Sequence, residues 1–305
     1  MCNSLGLKSH KRICLFAGYN ADNKIAVHVL DYLRELSRYC DVYYLADGEL
    51  EPNELEKAKS LCNNAWVKDH GKYDFGSYSE LARDYVGWET ISQYDELILA
   101  NDSCFCLQEF GPVFAKMDNE STDVWCLMAT DELNTDRIFS LEDYQKIPSK
   151  KIPMFCAGSY FLAFRRSVVE DKRFRDFLNE VKIGQNRQQI CLKYEMGLTA
   201  NLIKWGYRIS GFIKVVYKNA AIYGEQAFRL LKQGFPLLKA RIFIDNPMSV
   251  ANLKDWIDVT VALVGNDRLP HYLNDLSGLE PSVARLCKYR PRPSLVDPSA
   301  PEPPL

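Results

Sequence analysis

The chain has no long apolar run, no excess of charge of either sign and no paired cysteine knuckles. Nowhere do its 305 residues string together the roughly 20 uninterrupted apolar positions that a helical bilayer span requires. The opening stretch, MCNSLGLKSHKRICLFAGYN, holds an apolar run too short, and broken too early by charge, to read as a secretory signal. Lys and Arg number 38 against 40 Asp and Glu, for a net charge of −2. No global positive field recommends the protein for nucleic acid, so a charged ligand must be held by local groups. Cysteine is plentiful, at 10 residues, but its pattern is not that of a metal site. Cys104 and Cys106 are spaced C-x-C, and Cys14, Cys40, Cys62, Cys126, Cys156 and Cys191 sit in apolar or helical stretches, where free thiols act as small hydrophobes. A reducing, cytoplasmic setting is expected. No internal repeat is visible.

What is present is enough apolar residue, 47%, to bury a sizeable core in one large or two fused domains. Strand and helix signals alternate over the first 103 residues. RICLFAGY (12–19), DVYYLAD (41–47), AWVKD (65–69) and ELILAND (96–102) read as strands. Between them lie helical patterns at 24–39, with Ile25, Val29, Leu33 and Leu36 in phase, at 52–62, with Pro52 near its start, and at 78–91. Strands separated by crossovers of this length require a mostly parallel, Rossmann-type sheet flanked by helices. Beyond residue 103 the expected strands are DVWCLMATDE (123–132) and YRISGFI, with a strand or strand-turn at GSYFLAFRRSVV (158–169) and helices at 111–117, 174–181 and 193–209. The expected organisation is an N-terminal arm (1–11), one domain in two halves (12–103 and 104–216), a mainly helical extension (217–288) and a Pro-rich tail (289–305).

Ligands on such sheets collect at the carboxyl ends of the strands, where loops meet and helix N-termini point N–H groups outward. Gly18 to Asn23, Asp47, Gly48, the loop DHGKYDFG (69–76) and Asn101, Asp102 and Ser103 all fall at expected strand ends. They should share one rim. Asp102 and Ser103 suit either ligand binding there or the start of a turn. The loop after the first strand, AGYNADNK, has no Arg and one Lys, which argues against a nucleotidyltransferase.

Six motifs carry a resemblance: YDFGSY (73–78), YDELILANDS (94–103), DVWCLMATDE (123–132), SYFLAFRRSVV (159–169), YEMGLTANLIKWGY (194–207) and GFPLLKARIF (234–243). In this order they are similar to the rhamnan synthesis protein F family, rhamnosyltransferases of bacterial polysaccharide assembly, over about residues 12–250. Two departures stand out: FCAGSYF lacks a Gln before Ser-Tyr-Phe, and NDS lacks the first carboxylate of a full Asp-x-Asp. The resemblance implies a GT-A-like fold and an inverting transfer from a nucleotide-sugar such as dTDP-rhamnose. The acceptor it implies is a saccharide or a lipid-linked saccharide, with peripheral association at the inner face of the cytoplasmic membrane. Asp102 matches the metal-binding position of that fold. Glu195, opening a Leu-patterned helix that ends in Gly-Tyr, matches its catalytic base.

The chemistry fits these residue types. A leaving nucleoside diphosphate gains negative charge, which Mg2+ or Mn2+ on Asp102 can neutralise. Lys68, Lys72 and the N–H groups of the loop running through Gly76 can supplement or replace the metal. Asp74 suits a ribose or base contact, or an Asx-turn, and Asn101 and Ser103 complete the donor set. An attacking sugar hydroxyl must lose a proton, and Glu195 at a helix N-terminus would stay ionised to take it or would serve the dipole alone. Gly197 beside it leaves room for a visitor at the backbone. Asp131 and Glu132 are the other candidate bases. Ser159, Tyr160 and Phe161 are candidate sugar contacts, although an aromatic pair entering a strand equally suits a core. Arg165 and Arg166 suit a phosphate or the solvated surface. A carbohydrate-binding protein without turnover is the alternative from another class.

Overall fold

The computed structural model describes residues 10–19, 22–131, 139–141, 155–183, 187–277 and 283. Glu132, the Pro-rich tail and most of the N-terminal arm lie outside the described residues. The strands are β1 (Arg12–Tyr19), β2 (Asp41–Asp47), β3 (Asn64–Lys68), β4 (Glu96–Asn101), β5 (Cys104–Cys106), β6 (Val124–Cys126), β7 (Ala129–Asp131), β8 (Phe139–Ser140), β9 (Phe155–Ala157), β10 (Phe161–Arg165), β11 (Ile209–Gly211), β12 (Val215–Val216) and β13 (Leu237–Lys239). Seven of them form the central sheet, in the order β11-β6-β10-β4-β1-β2-β3. β1 pairs in parallel with β2 and β4, β2 with β3, and β6 with β11, while β10 runs antiparallel to both its neighbours. This is the expected α/β architecture, a mostly parallel sheet flanked by helices, with one reversed strand that no periodicity could orient.

Both faces of the sheet are buried, as the continuous apolar runs of β1 and β4 require. Ile13, Leu15, Ala17, Leu97 and Leu99 face one cluster, and Cys14, Phe16, Ile98 and Ala100 face the other. The helix Val27–Leu36 covers the second face with Val29, Tyr32, Leu33 and Leu36. Each Val or Leu so buried contributes about 1.5–3 kcal/mol relative to exposure. Pro52 stands at the start of the helix Pro52–Lys59, where its missing N–H costs nothing.

Two elements differ from expectation. The apolar run 123–132 is two strands: it bends at Leu127 and Met128, so that β7 leaves the sheet to pair with β9. The helix expected at 78–91 is a helix Tyr73–Glu80, a π-turn Leu81–Tyr85 and a short helix Trp88–Ile91, separated by Gly87 in the left-handed region at φ 83°. Of the two readings of 158–169, the structure has the strand followed by a turn: β10 stops at Arg165 and continues as a helical turn, Arg166–Val169.

The C-terminal segment is mainly helical, as expected. The helices Glu225–Leu231, Arg241–Ile244, Leu253–Val264 and Arg268–Leu276 build a third core with Phe105 and Leu107. It is sewn to the central domain by β13, antiparallel to β5, and by Asp275, which accepts the Val27 N–H at 2.8 Å.

Candidate active site

Parallel strands end together, so their carboxyl termini and the loops after them form one rim. There the structure opens a cavity of about 460 Å³, lined by Gly18 and Tyr19 at the end of β1, Asp47 and Gly48 at the end of β2, Asp69, Gly71, Tyr73, Asp74 and Phe75 after β3, and Asp102 and Ser103 after β4. Ile190, Cys191 and Glu195 close the far wall. Residues from each of the four strand ends expected to form the rim therefore line one cavity. It is lined by five carboxylates, Asp47, Asp69, Asp74, Asp102 and Glu195, and among the described lining residues there is no Lys, Arg or His.

Asp102 sits where the buried strand runs out. Its N–H donates to Ala17 O at 3.2 Å, and its Oδ2 accepts the Tyr19 N–H at 2.6 Å. Burial, and then the charge of Asp74, push this carboxyl up to about 7. Asp74, in the first turn of the helix Tyr73–Glu80, accepts Asn101 Nδ2 at 2.7 Å. Asn101 Oδ1 in turn accepts Ser103 Oγ at 2.6 Å. Beneath the acids lies Tyr78, fully buried, whose hydroxyl has no hydrogen-bond partner among the described residues. Its phenol is pushed well up by burial and then by Asp74, Cys14, Asp102 and Glu195.

Glu195 does not open its helix. The helical path begins at Arg187 and passes through a π-turn, Cys191–Met196, into the helix Gly197–Lys204. The N-terminal dipole is therefore not what holds this carboxylate. Instead Ser159 Oγ donates to Oε2 at 2.9 Å and Cys191 Sγ to Oε1 at 3.2 Å. The wide π-turn, a frequent feature of functional helices, carries both Cys191 and Glu195. At Gly197 a Cβ would meet Leu192 O at an ordinary 3.5 Å, so among the described residues close packing does not fill the space beside this backbone.

Asp47 organises the loop after β3. Its Oδ1 accepts the N–H groups of His70 and Gly71, each at 2.9 Å. His70 accepts the Lys72 N–H on Nδ1 and therefore donates from Nε2 to Ser77 Oγ at 3.0 Å. Burial first of all pulls its pKa down. The chain then turns through Tyr73 at φ 58°, a conformation costly for an aromatic residue and typical of functional loops. Tyr73 and Tyr19 leave 46% and 63% of their surface exposed, two flat faces on the same cavity.

Several expected site residues lie elsewhere. Lys68 and Lys72 are committed to the buried Glu80, at 2.6 and 2.7 Å, and neither lines the cavity. Gly76 packs rather than binds, since a Cβ would come within 2.3 Å of Lys72 Cβ and 2.8 Å of the His70 ring. Phe161 is wholly buried and stacks on Phe110, and Tyr160 is 5% exposed; the aromatic pair belongs to the core. Ser159 reaches Glu195 but does not line the cavity. Asp131 is buried in β7, its N–H on Tyr217 O at 2.8 Å, and does not line the cavity either. Arg165 is sequestered at the opposite end of the sheet, 2.5 Å from Glu96, and Arg166 pairs with Asp95. Cys191, which reads in the sequence as a core thiol, is the site residue that sequence reasoning misses. Only its spacing of four from Glu195 hints at a shared helical face.

Among the described residues no three of His, Cys, Asp and Glu are placed to hold a metal by themselves. The pair Asp102 and Asp74 offers hard oxygen ligands whose mutual repulsion raises Asp102. That fits a cation of the Mg2+ or Mn2+ type, which takes one or two carboxylates and completes its shell with substrate phosphates and water. Among the described residues no helix is long and apolar enough to cross a membrane.

No curated protein matches the chain. Three solved structures are similar at a distance. Core-mannan synthase A of Aspergillus fumigatus, in its Mn/GDP form, is 8% identical, with 66% of this chain and 73% of that one covered and a TM-score of 0.34. The glycosyltransferase GlyE of Streptococcus pneumoniae is 11% identical, with 85% and 63% covered and a TM-score of 0.41. Mouse xyloside xylosyltransferase 1, in its apo form, is 10% identical, with 68% and 98% covered and a TM-score of 0.33. The family model of rhamnan synthesis protein F matches residues 42–260. That span takes in well over half of the sequence and five strands of the central sheet entire, together with the cavity walls from Asp47 to Glu195, and by it the chain belongs to the rhamnan synthesis protein F family.

Proposed function

We propose that this glycosyltransferase moves a sugar from a nucleoside-diphosphate donor, of the dTDP-rhamnose type, to a hydroxyl of a saccharide or lipid-linked saccharide, with inversion. The observation that carries this reading is the lining itself: among the described residues, five carboxylates and no cationic side chain at the carboxyl rim of a parallel sheet. A bare diphosphate would be repelled from such a cavity. A diphosphate that arrives with a divalent cation is drawn into it, and Asp102 and Asp74 are the side chains that would hold the ion. Bound there, the ion would supply Lewis-acid stabilisation of the departing diphosphate. Tyr19 and Tyr73 offer their rings to the nucleoside, and the loop held by Asp47 fixes where it lies.

The chain's own step is proton transfer. As the acceptor oxygen bonds to the anomeric carbon, the bond from that carbon to the phosphate oxygen breaks and the nucleoside diphosphate departs. The acceptor's proton passes to Glu195. Ser159 and Cys191 each donate to one oxygen of that carboxylate, which fixes its plane and leaves each oxygen a further lone pair for the hydroxyl. A positioned base of this kind contributes about 10²- to 10⁴-fold. With Glu195 acting as a base on the acceptor hydroxyl and not as a nucleophile, transfer is a single displacement at the anomeric carbon, which inverts its configuration.

The test is a panel of nucleotide-sugars, scored by nucleoside diphosphate release with and without MnCl2 and by thermal shift. A donor that raises the melting temperature only with Mn2+ or Mg2+, and is turned over faster when a saccharide acceptor is added, supports the reading. Stabilisation by simple sugars with no response to any nucleotide-sugar would instead favour a carbohydrate-binding protein.

A further inference from the structure

Lys239, on a strand outside the central sheet, is a cationic neighbour of the cavity acids Asp74, Asp102 and Glu195. β13 lies antiparallel to β5 with Lys239 opposite Cys104, and the next residue, Ala240, donates its N–H to Ser103 O at 3.1 Å. This register carries the Lys239 side chain in behind the end of β4. Its ammonium donates to Ser103 Oγ at 2.7 Å and stands 4.3 Å from the centre of the Tyr160 ring. Among the described residues no carboxylate lies within ion-pair distance of it, whereas Lys68 and Lys72 both spend their charge on Glu80. A half-buried ammonium set against a hydroxyl and a ring face, with no carboxylate in direct contact, is an arrangement that packing alone does not require.

The direction of the hydrogen bonds shows what the ammonium does. Lys239 can only donate, so Ser103 Oγ accepts and turns its own hydrogen to Asn101 Oδ1, at 2.6 Å. With its oxygen occupied, the Asn101 amide presents Nδ2 to Asp74 Oδ2, at 2.7 Å. Every link donates forward, from the ammonium to a carboxylate on the wall of the cavity. Such head-to-tail chains polarise each member and strengthen the last donor. Resting on the donor-binding role proposed above for Asp74, we propose that Lys239 is a positioning residue: through Ser103 and Asn101 it fixes the Asp74 carboxylate for a cation–diphosphate complex, so that the C-terminal segment completes a site built on the sheet. Tyr160 thereby has a function its place in the core did not show, as the π-face on which the ammonium rests.

The test is calorimetric binding of dTDP, UDP and GDP in the presence of MnCl2 to the parent, Lys239→Met, Ser103→Ala, Ser103→Thr and the Lys239→Met/Ser103→Ala double variant, with melting temperatures recorded alongside. Lys239→Met and Ser103→Ala should each weaken the best-bound diphosphate by about tenfold, the order of one charge-assisted hydrogen bond. The double variant should be no worse than Lys239→Met alone, because the two residues act in series. Ser103→Thr, which keeps the hydroxyl, should bind as the parent does. A folded Lys239→Met that binds with parental affinity, or a double variant whose losses add, overturns the inference. Should Lys239→Met fail to fold, the serine pair decides: loss with Ala but not with Thr supports it, and equal binding by both overturns it. A parent that binds none of the diphosphates overturns the donor-site reading and this inference together, an outcome distinct from the others.

Discussion

Ser159 holds Glu195 by a hydrogen bond of 2.9 Å from its hydroxyl to Oε2. The bond joins the turn between β9 and β10 to a helix 36 residues further along, and with Cys191 on the other oxygen it sets the carboxylate's orientation toward the cavity. Glu195→Gln keeps the size of the side chain and removes the basic oxygen. Transfer should fall by about 10²-fold or more while donor affinity holds within about threefold. Single-turnover rates and donor titration measure the two effects, and near-parental turnover would return the base to another carboxylate.

Asp102 makes the metal-free protein sensitive to pH in a definite direction. Its carboxyl keeps its proton in the folded state up to about 7, whereas in the unfolded chain it ionises near about 3.9. Between those values the folded state binds more protons, so this residue takes stability away as pH rises through the window. Asp102→Asn should therefore melt above the parent at pH 8 in EDTA, and the difference should vanish below about pH 4. The same variant should lose its response to nucleoside diphosphate with Mn2+. A melting temperature equal to the parent's at both pH values would remove the buried, repelled carboxyl from the account.

Glu80, 2% exposed, is satisfied by Lys68 and Lys72. Lys72→Met leaves part of that buried charge uncompensated and should lower stability by about 1–3 kcal/mol in chemical denaturation. Donor affinity should stay within about twofold, since the ammonium does not face the cavity. A large loss of affinity with little loss of stability would put Lys72 back among the ligands of the diphosphate.

Gly76 has no room for a side chain. A methyl group would overlap Lys72 Cβ at 2.3 Å and the His70 ring at 2.8 Å, and because Lys72 Cβ adjoins the backbone, the start of the helix must shift. Gly76→Ala should destabilise by about 1–3 kcal/mol and disturb the loop that Asp47 holds. Urea denaturation checks the first effect. A neutral or stabilising outcome would show that the loop gives way freely.

Much of the site is legible in the order of residues alone. Apolar runs separated by helical periods specify a parallel sheet, and parallel strands must present their carboxyl ends on one edge, which places Asp47, Asp69, Asp74 and Asp102 together without a single measured distance. Glu195 is legible through its motif, but the helix N-terminus expected to hold it is not there, because the helix starts two turns earlier. Local signals mislead where a residue's type fits two environments. Lys72 and Gly76 look like parts of a phosphate loop, and Arg165 looks like a surface cation, until their partners Glu80, His70 and Glu96 are in view.

By itself the sequence determined the layering of the fold and the edge on which its chemistry collects, because both follow from periodicity and chain direction, which are local. Only the tertiary structure decided which charges meet. The reversed β10, the pairing of β13 with β5 and the chain from Lys239 to Asp74 are contacts between segments as many as 136 residues apart. No local pattern encodes such contacts, since a hydrogen bond or an ion pair depends on a separation of a few ångströms that only the packed core sets.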